Sequence, residues 1–257
     1  MKKNSKIYSF TNENINSFQN LYSFQGAKVL SVLGSGDQYF SSMLYGAKIV
    51  EVFDKNRLAW DFFVLKFFGI IVLRYEEFYD YFVASKLDDY HYFEKLRKYL
   101  PEDVAFRIDS LYRTYKKLSI LLEYTDMASI RFNYGNFIPY MRQVDFYCLK
   151  KMLIREELPK FYNIDFSKLP EKVSNTNYDI LLASNCYDWM YDRNSGLSDY
   201  DDLLEKFNAR EYQAIYSWWL TDEFKEEVVE SNYRVDEVPT SIHLKRTPDY
   251  VITKRKK

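Results

Sequence analysis

The sequence predicts an α/β fold with a doubly wound parallel sheet, on the basis of three observations. Two apolar runs, at residues 28–33 and 48–53, have the length and composition of buried strands. Four of the seven glycines lie between Gly26 and Gly46, so they mark tight turns beside the first run. Helical periodicity follows each run. A doubly wound sheet begins with this order of elements: a strand, a glycine turn, a helix, a second strand and an acidic residue.

The first predicted strand stops at a glycine turn, Gly34-Ser35-Gly36-Asp37. Apolar residues then recur at helical spacing up to Gly46, which is a suitable residue to end the helix. The second strand stops at Asp54, and residues 58–68 predict a second helix.

Residues 74–157 show a different pattern, with helices predicted at 75–82, 87–100, 104–124 and 140–157 and no convincing strand. We interpret them as a helical insertion between the second and third strands of a single domain, 1–257. Long segments of this kind in α/β folds carry function. We therefore expect the insertion to roof a cavity above Asp37, Asp54 and Asp188. The alternative is that its helices only pack on one another or form a dimer surface.

The remaining elements complete the sheet. Strands are predicted at 160–164, 178–183 and 212–219, and helices at 199–207 and 222–227. Residues 232–238 and 250–253 predict a closing antiparallel pair.

The amino-acid composition argues against several classes of function. The 36 basic and 37 acidic residues give a net charge of −1, which disfavours nucleic acid as a partner. Two cysteines and two histidines predict no metal site and no disulfide framework. Asp61 and Lys66 interrupt the most apolar stretch, 60–73, which argues against a transmembrane segment. With no signal peptide visible, we expect a soluble, cytoplasmic protein.

Polar residues follow four predicted strands, at the edge where open α/β sheets bind ligands. They are Gly34, Ser35, Gly36 and Asp37 after the first strand, Asp54 after the second, Asp165 and Phe166 after the third, and Ser184 and Asn185 after the fourth. Each of these four groups alone is weak evidence for a binding site, but their joint placement at one edge of the sheet predicts a single ligand site.

The residue types indicate what this site binds. Tyr39 stands where a dinucleotide fingerprint would have its third glycine, and Asp37 would repel a pyrophosphate. Asp37 suits an ammonium group, such as that of S-adenosylmethionine, or is only a helix N-cap. Asp54 lies where an acidic residue accepts hydrogen bonds from ribose, or is only a turn residue. Asp165 can accept from an adenine amino group while the backbone of Phe166 donates to the ring.

Catalytic candidates lie after the fourth of these strands. Tyr187 and Asp188 are candidates for the transfer site, and Cys186 is an alternative nucleophile without a histidine nearby in sequence. We expect Cys148 to be a core residue, because Val144 and Met152 stand four positions away on the same helix.

These residues resemble a family of bacterial S-adenosylmethionine-dependent proteins related to the betaine-lipid 3-amino-3-carboxypropyltransferases. The similar segments are Thr11-Asn12-Glu13-Asn14, Val29-Leu30-Ser31-Val32, Gly34-Ser35-Gly36-Asp37-Gln38, Asp54-Lys55-Asn56, Leu65-Lys66, Tyr75-Glu76-Glu77-Phe78, Ser184-Asn185 and Asp249-Tyr250-Val251-Ile252. One departure stands out. Val32 occupies the position, two before the first glycine, that is acidic in many methyltransferases.

The resemblance implies a Rossmann-like class I methyltransferase sheet and S-adenosylmethionine as the cofactor, with Asn56 added to the binding residues. We therefore expect a transferase that moves a methyl or a 3-amino-3-carboxypropyl group to a small-molecule or lipid acceptor. The alternative is a non-catalytic protein that binds S-adenosylmethionine or a partner. The oligomeric state stays open.

Overall fold

The computed structural model describes residues 7–84, 86–123, 134–190, 197–217, 220–240 and 248–255. Within these ranges the chain forms nine strands: β1 Ile7–Tyr8, β2 Lys28–Val32, β3 Ile49–Phe53, β4 Leu122–Glu123, β5 Phe161–Tyr162, β6 Tyr178–Leu182, β7 Ala209–Ser217, β8 Arg234–Val238 and β9 Asp249–Arg255. The same ranges contain twelve α-helices: α1 Phe18–Leu21, α2 Asp37–Leu44, α3 Arg57–Val72, α4 Tyr75–Phe78, α5 Tyr90–Arg97, α6 Glu102–Tyr115, α7 Tyr134–Phe137, α8 Gln143–Leu153, α9 Pro170–Val173, α10 Cys186–Met190, α11 Ser198–Glu205 and α12 Asp222–Glu230.

A seven-stranded sheet organises the fold, in the order β5-β3-β2-β6-β7-β9-β8. Strands β5, β3, β2, β6 and β7 are parallel, and β9 runs antiparallel between β7 and β8. The chain moves outward from β2 to β3 and β5, and then returns to the other side of β2 with β6. A reversal of this kind opens a crevice at the carboxyl ends of the two strands that flank it. The predicted α/β fold and its closing antiparallel pair are confirmed.

Both faces of the sheet are buried, which explains why its central strands are apolar throughout. Val29 and Leu33 belong to one apolar cluster, together with residues of α2, α3 and the insertion. Leu30, on the opposite face of β2, belongs to a second cluster with Tyr200 and Phe207. These five side chains are at most 2% exposed. The alternation along one strand therefore builds two separate layers of core.

Helix α3 is apolar nearly throughout, and its two interior charges are both paired. Asp61 accepts two hydrogen bonds from Arg107 of α6, at 2.9 and 2.8 Å. Lys66 pairs with Asp37 of α2 at 3.0 Å, and both side chains are fully buried. The residues that break the apolar stretch thus fasten α3 to two neighbouring helices. Within the described residues, no helix is both long enough and apolar enough to cross a membrane.

The helical insertion lies between β3 and β5, as predicted, with one difference in its middle. The helix predicted at 104–124 ends early, because Lys116 adopts a left-handed conformation with φ 60°. Residues Leu122–Glu123 then form β4, which pairs in parallel with β1. Because the pairing partner lies over a hundred residues away, local periodicity could not predict this strand.

The orientation predicted for α8 is wrong. Cys148 and Val144 are exposed, whereas Phe146, Leu149 and Leu153 form the buried side of the helix. The predicted apolar stripe, Val144, Cys148 and Met152, and the observed one, Phe146, Leu149 and Leu153, lie on different sides of the helix. The stripe with the larger apolar side chains packs inward. That buried side contacts α2, α3 and α4.

Candidate functional site

A cavity of about 520 Å³ lies at the carboxyl ends of the parallel strands, at the reversal between β2 and β6. A cavity of this size is within the usual range for small-molecule sites. Four loops line it, one each after β2, β3, β5 and β6. Of the predicted binding residues, eight line it: Gly34, Ser35, Asp54, Asn56, Asp165, Phe166, Ser184 and Asn185.

The glycine turn after β2 depends on backbone conformations that side chains rarely adopt. Gly34 and Gly36 have φ angles of 49° and 84°. A Cβ added to Gly36 would lie 2.6 Å from the ring of Phe63, so the turn also packs closely against α3. The turn is closed by a hydrogen bond from the Gly36 amide to the Leu33 carbonyl at 2.6 Å. Glycine is therefore required here for both conformation and space.

Asp54 connects the first two loops of the cavity. One carboxylate oxygen accepts from the Gly34 amide at 3.1 Å, and the other accepts from the Asn56 amide at 2.8 Å. Asp54 is half-buried, and burial raises its pKa, although these amides and the charge of Lys55 act in the opposite direction. A carboxylate offers about four acceptor sites, so both oxygens can accept a further hydrogen bond from a ligand.

Asp165 and Phe166 supply a polar edge and an aromatic wall. The Asp165 carboxylate accepts from the Ser167 amide at 3.1 Å and lies 3.6 Å from the Lys55 ammonium. Burial alone would raise the pKa of Asp165, but these interactions outweigh it and hold the pKa below its usual value. The Phe166 ring stacks on Phe53 with ring centroids 5.3 Å apart, and both residues line the cavity.

The loop after β6 is held in a strained conformation. Ser184 has a φ of 54°, which costs about 1–2 kcal/mol for a residue with a side chain. Its amide donates to the Gln213 side chain at 3.1 Å, and its hydroxyl donates to Glu13. These two bonds over-determine the conformation and direct the loop toward the cavity.

The N-terminal segment forms a wall that sequence reasoning missed. Ile7, Tyr8, Thr11 and Asn12 line the cavity. Hydrogen bonds fix the segment: the Thr11 amide donates to Asp37, the Asn14 amide donates to the Tyr216 hydroxyl of β7, and the Asn14 side chain donates to the Pro239 carbonyl. The similarity of residues 11–14 to an acidic family segment was the one available signal. It pointed to the segment without indicating where it would pack.

Asp37 and Gly36 do not line the cavity. Asp37 is 1% exposed and accepts hydrogen bonds from the Thr11 amide, the Ser35 hydroxyl and Tyr140, in addition to its ion pair with Lys66. Burial lowers the pKa of Lys66, although Asp37 partly offsets this. The expectation that Asp37 faces the cavity is therefore wrong, because its carboxylate is buried among these partners.

The two predicted catalytic residues, Tyr187 and Asp188, do not line the cavity. Tyr187 is 1% exposed and packs against Tyr200 and Phe224 in the second apolar cluster. Asp188 is exposed and does not line the cavity. The structure brings neither residue to the site.

The insertion does not roof the cavity within the described part of the chain. None of its residues in 74–84, 86–123 or 134–157 lines the cavity. Its buried side chains instead pack on α2 and α3, over one face of the sheet. The expectation of an insertion above the carboxyl edge is therefore wrong for these residues, and the N-terminal segment takes that position.

The structure places the alternative nucleophile, Cys186, at the site. Cys186 lines the cavity, but burial and the nearby carboxylates of Asp54 and Glu13 raise its pKa, which disfavours the thiolate. No group of three or more His, Cys, Asp or Glu residues is placed to hold a metal ion in the described residues.

No family model matches the chain, and no curated protein is significantly similar to it. The geometry of the cavity is therefore the basis for assigning a function.

Proposed function

We propose that this chain binds S-adenosylmethionine in the cavity and transfers a methyl or a 3-amino-3-carboxypropyl group from it to a small-molecule or lipid acceptor. One observation carries the proposal. Four strand-end loops meet at a single cavity, and the acidic residue 20 positions after Gly34 hydrogen-bonds to that glycine. This is the arrangement that receives a nucleoside in open α/β sheets.

The lining residues fit the adenosine half of the ligand. Asp54 keeps acceptor capacity on both oxygens, which suits the two hydroxyls of a ribose. Phe53 and Phe166 form an aromatic wall beside it, and Asp165 stands at the edge of that wall. An aromatic surface with one polar acceptor at its rim suits a purine base.

The strand order supports the same assignment. An antiparallel strand inserted between the last two strands, as β9 is here, is characteristic of the class I methyltransferase sheet. The similarity of residues 28–82 to the aminocarboxypropyltransferase-related family points in the same direction.

A dinucleotide fits less well. A pyrophosphate needs free amides at the N-terminus of the helix after the glycine turn. That position of α2 is taken by the buried carboxylate of Asp37, with the Thr11 amide bonded to it. Tyr39, at the third glycine position, is 3% exposed and packs edge-on against Phe63.

When bound, S-adenosylmethionine supplies a carbon that is already activated by the adjacent sulfonium. The work left to the protein is to hold the ligand and to orient the acceptor for in-line attack. The four loops and the N-terminal segment perform the first task. A lone pair on the acceptor would form the new bond to this carbon while the carbon–sulfur bond breaks and leaves its electron pair on sulfur, so a general base is needed only where the acceptor must also lose a proton.

A second candidate is a non-catalytic protein that binds S-adenosylmethionine. It is favoured by the positions of Tyr187 and Asp188 away from the cavity and by the absence of described insertion residues from its lining. The two candidates differ in product formation and agree on the ligand.

The first experiment measures ligand binding. Millimolar S-adenosylmethionine should raise the melting temperature, because a ligand at about 100 times its Kd stabilises by about 2.7 kcal/mol. NAD and ATP should give no comparable shift. Glu205→Gln is the matched control for a site variant such as Asp54→Asn, because Glu205 is exposed and ends α11, just before the amino end of β7. Calorimetry that detects no S-adenosylmethionine binding would refute the proposal.

The second experiment separates the enzyme from the binding protein. The protein is incubated with a cell extract and with S-adenosylmethionine labelled in the methyl or in the aminocarboxypropyl group. Formation of S-adenosylhomocysteine identifies methyl transfer, and formation of methylthioadenosine identifies aminocarboxypropyl transfer. Binding without either product favours the second candidate.

A further inference from the structure

Glu13 is a buried carboxylate that adjoins the cavity wall. It is 2% exposed, and its two oxygens accept hydrogen bonds from the Gln38 amide group at 2.8 Å and from the Ser184 hydroxyl. Gln38 and Ser184 both line the cavity, whereas Glu13 stands behind them. No Lys, Arg or His in the described ranges forms an ion pair with it. Buried carboxylates are normally paired with a cation or neutralised by a proton, so Glu13 either keeps a proton or depends on a positive charge supplied from the cavity.

The groups that face Glu13 from the surrounding elements do not provide a positive charge. From α2 comes Asp37, whose own charge is balanced by Lys66. From β9 comes Asp249, a further carboxylate that accepts from Tyr216 of β7 at 2.7 Å. From the loop after β6 comes the thiol of Cys186, which burial keeps protonated. When Glu13 is ionised, none of these groups compensates its charge, so we expect a negative electrostatic potential at the part of the cavity wall formed by Gln38 and Ser184.

We propose that Glu13 is a positioning residue that selects a cationic ligand, drawing its positively charged end to the wall formed by Gln38 and Ser184. The inference rests on the proposed function, because the ammonium and sulfonium groups of S-adenosylmethionine are the two sources of that charge. It also assigns a residue to the task left open by Val32, which stands where many methyltransferases have an acid. The acid is supplied from the N-terminal segment.

Glu13 acts through its two hydrogen-bonded neighbours, and protonation gives that action a measurable signature. Burial raises the pKa of Glu13 to about 7, and the hydrogen bonds from Ser184 and Gln38 only partly offset this. A cation in the cavity favours the ionised carboxylate and therefore lowers this pKa. Binding of a cationic ligand below pH 7 must then release a proton.

The test is calorimetry at pH 6 in two buffers of different ionisation enthalpy. S-adenosylmethionine should release about 0.8 proton per site, if its binding lowers the pKa of Glu13 by about two units. Its own amino group does not interfere, because α-amino groups titrate near 7.7–8.0. Glu13→Gln, which has nearly the same shape, should abolish the release and weaken the binding of S-adenosylmethionine at pH 7.5 by roughly tenfold or more. Glu205→Gln should retain both.

Two other ligands identify the charge that is recognised. Methylthioadenosine has the adenosine moiety without either positive group, so it should bind with no proton release and be indifferent to Glu13→Gln. S-adenosylhomocysteine has the ammonium group without the sulfonium. Proton release with both charged ligands would support the inference with the ammonium facing the wall, and release with S-adenosylmethionine alone would support it with the sulfonium there.

The outcomes separate this inference from the proposed function. Absence of S-adenosylmethionine binding overturns both. Binding without a proton, or with a proton that persists in Glu13→Gln, overturns the role of Glu13 alone. If that variant does not fold, the wild type still decides. Its affinity for S-adenosylmethionine should rise about tenfold from pH 5.5 to 7, and a profile as flat as that of methylthioadenosine would contradict the inference.

Discussion

Replacement of Lys66 by methionine tests whether the buried ion pair with Asp37 holds the glycine turn and the N-terminal segment together. The Lys66 ammonium donates to the Ser9 carbonyl, the Ser35 carbonyl and the Asp37 carboxylate, at 2.8, 2.8 and 3.0 Å. Both side chains are fully buried. Methionine fills a similar volume but leaves Asp37 charged and without its cation.

The expected cost follows from this burial. Breaking a buried pair by removing one partner costs about 3–5 kcal/mol, because an uncompensated charge stays inside. A chain of this size loses about 2–4 °C of melting temperature per kcal/mol, so the shift should be roughly 6–20 °C. The double variant Asp37→Asn/Lys66→Met should lose less than the sum of the two single variants, by about 1–3 kcal/mol.

The assay is urea unfolding followed by circular dichroism and tryptophan fluorescence, with coincident transitions as the check for two-state behaviour. The control is Lys95→Met, because Lys95 forms an ion pair with Glu77 at 3.1 Å while 40% exposed. An exposed pair is worth less than about 1 kcal/mol. A loss in Lys66→Met no greater than in Lys95→Met would refute the reasoning.

Three further predictions concern the cavity. Asp54→Ala should lower the affinity for S-adenosylmethionine by about ten- to hundredfold, and it should lower the free energy of unfolding without ligand by about 1.5–3 kcal/mol, because two amides lose their acceptor. Calorimetry measures the first effect and urea unfolding the second, and an unchanged free energy of unfolding would contradict the second. The pKa of Glu13 is about 7 in the folded protein, against 4.5 for a free carboxyl, so raising the pH from 5 to 7.5 should lower the free energy of unfolding of the wild type by roughly 2–3 kcal/mol relative to Glu13→Gln. Urea unfolding at several pH values measures this, and parallel pH dependences of the two proteins would contradict it. Iodoacetamide at pH 8 should label the exposed Cys148 roughly tenfold faster than Cys186, because burial raises the pKa of Cys186, and S-adenosylmethionine should slow the labelling of Cys186 further. Mass spectrometry measures both labelling rates, and equal rates would contradict the raised pKa of Cys186.

The central sheet could be predicted from the sequence because its strands are continuous apolar runs ended by distinctive residues. The first strand was predicted at 28–33 and is Lys28–Val32, and the fourth was predicted at 178–183 and is Tyr178–Leu182. The four loops that meet at the cavity follow from the same argument, because parallel strands bring their carboxyl ends to one edge.

The rest depends on contacts that local patterns do not encode. The sequence analysis treated Lys66 as an interruption in an apolar stretch and as part of a family-like segment, although a lone lysine in such a helix is also a signal that a buried acid lies nearby. Asp37 was assigned to the ligand because nothing local shows that its charge is neutralised from α3. Periodicity also misjudged α8, where two apolar stripes compete and only packing selects between them.

The anchoring of the N-terminal segment has a consequence for the order in which the protein folds. Glu13 bonds to Ser184 across 171 residues, and Asn14 bonds to Tyr216 across 202. On the ribosome, the first residues of the cavity wall emerge long before the strands that receive them. The wall can therefore close only after β7 has been synthesised, and contacts of such sequence separation form slowly. Ligand-binding competence should then appear as a late event in refolding, after the secondary structure of the sheet is complete.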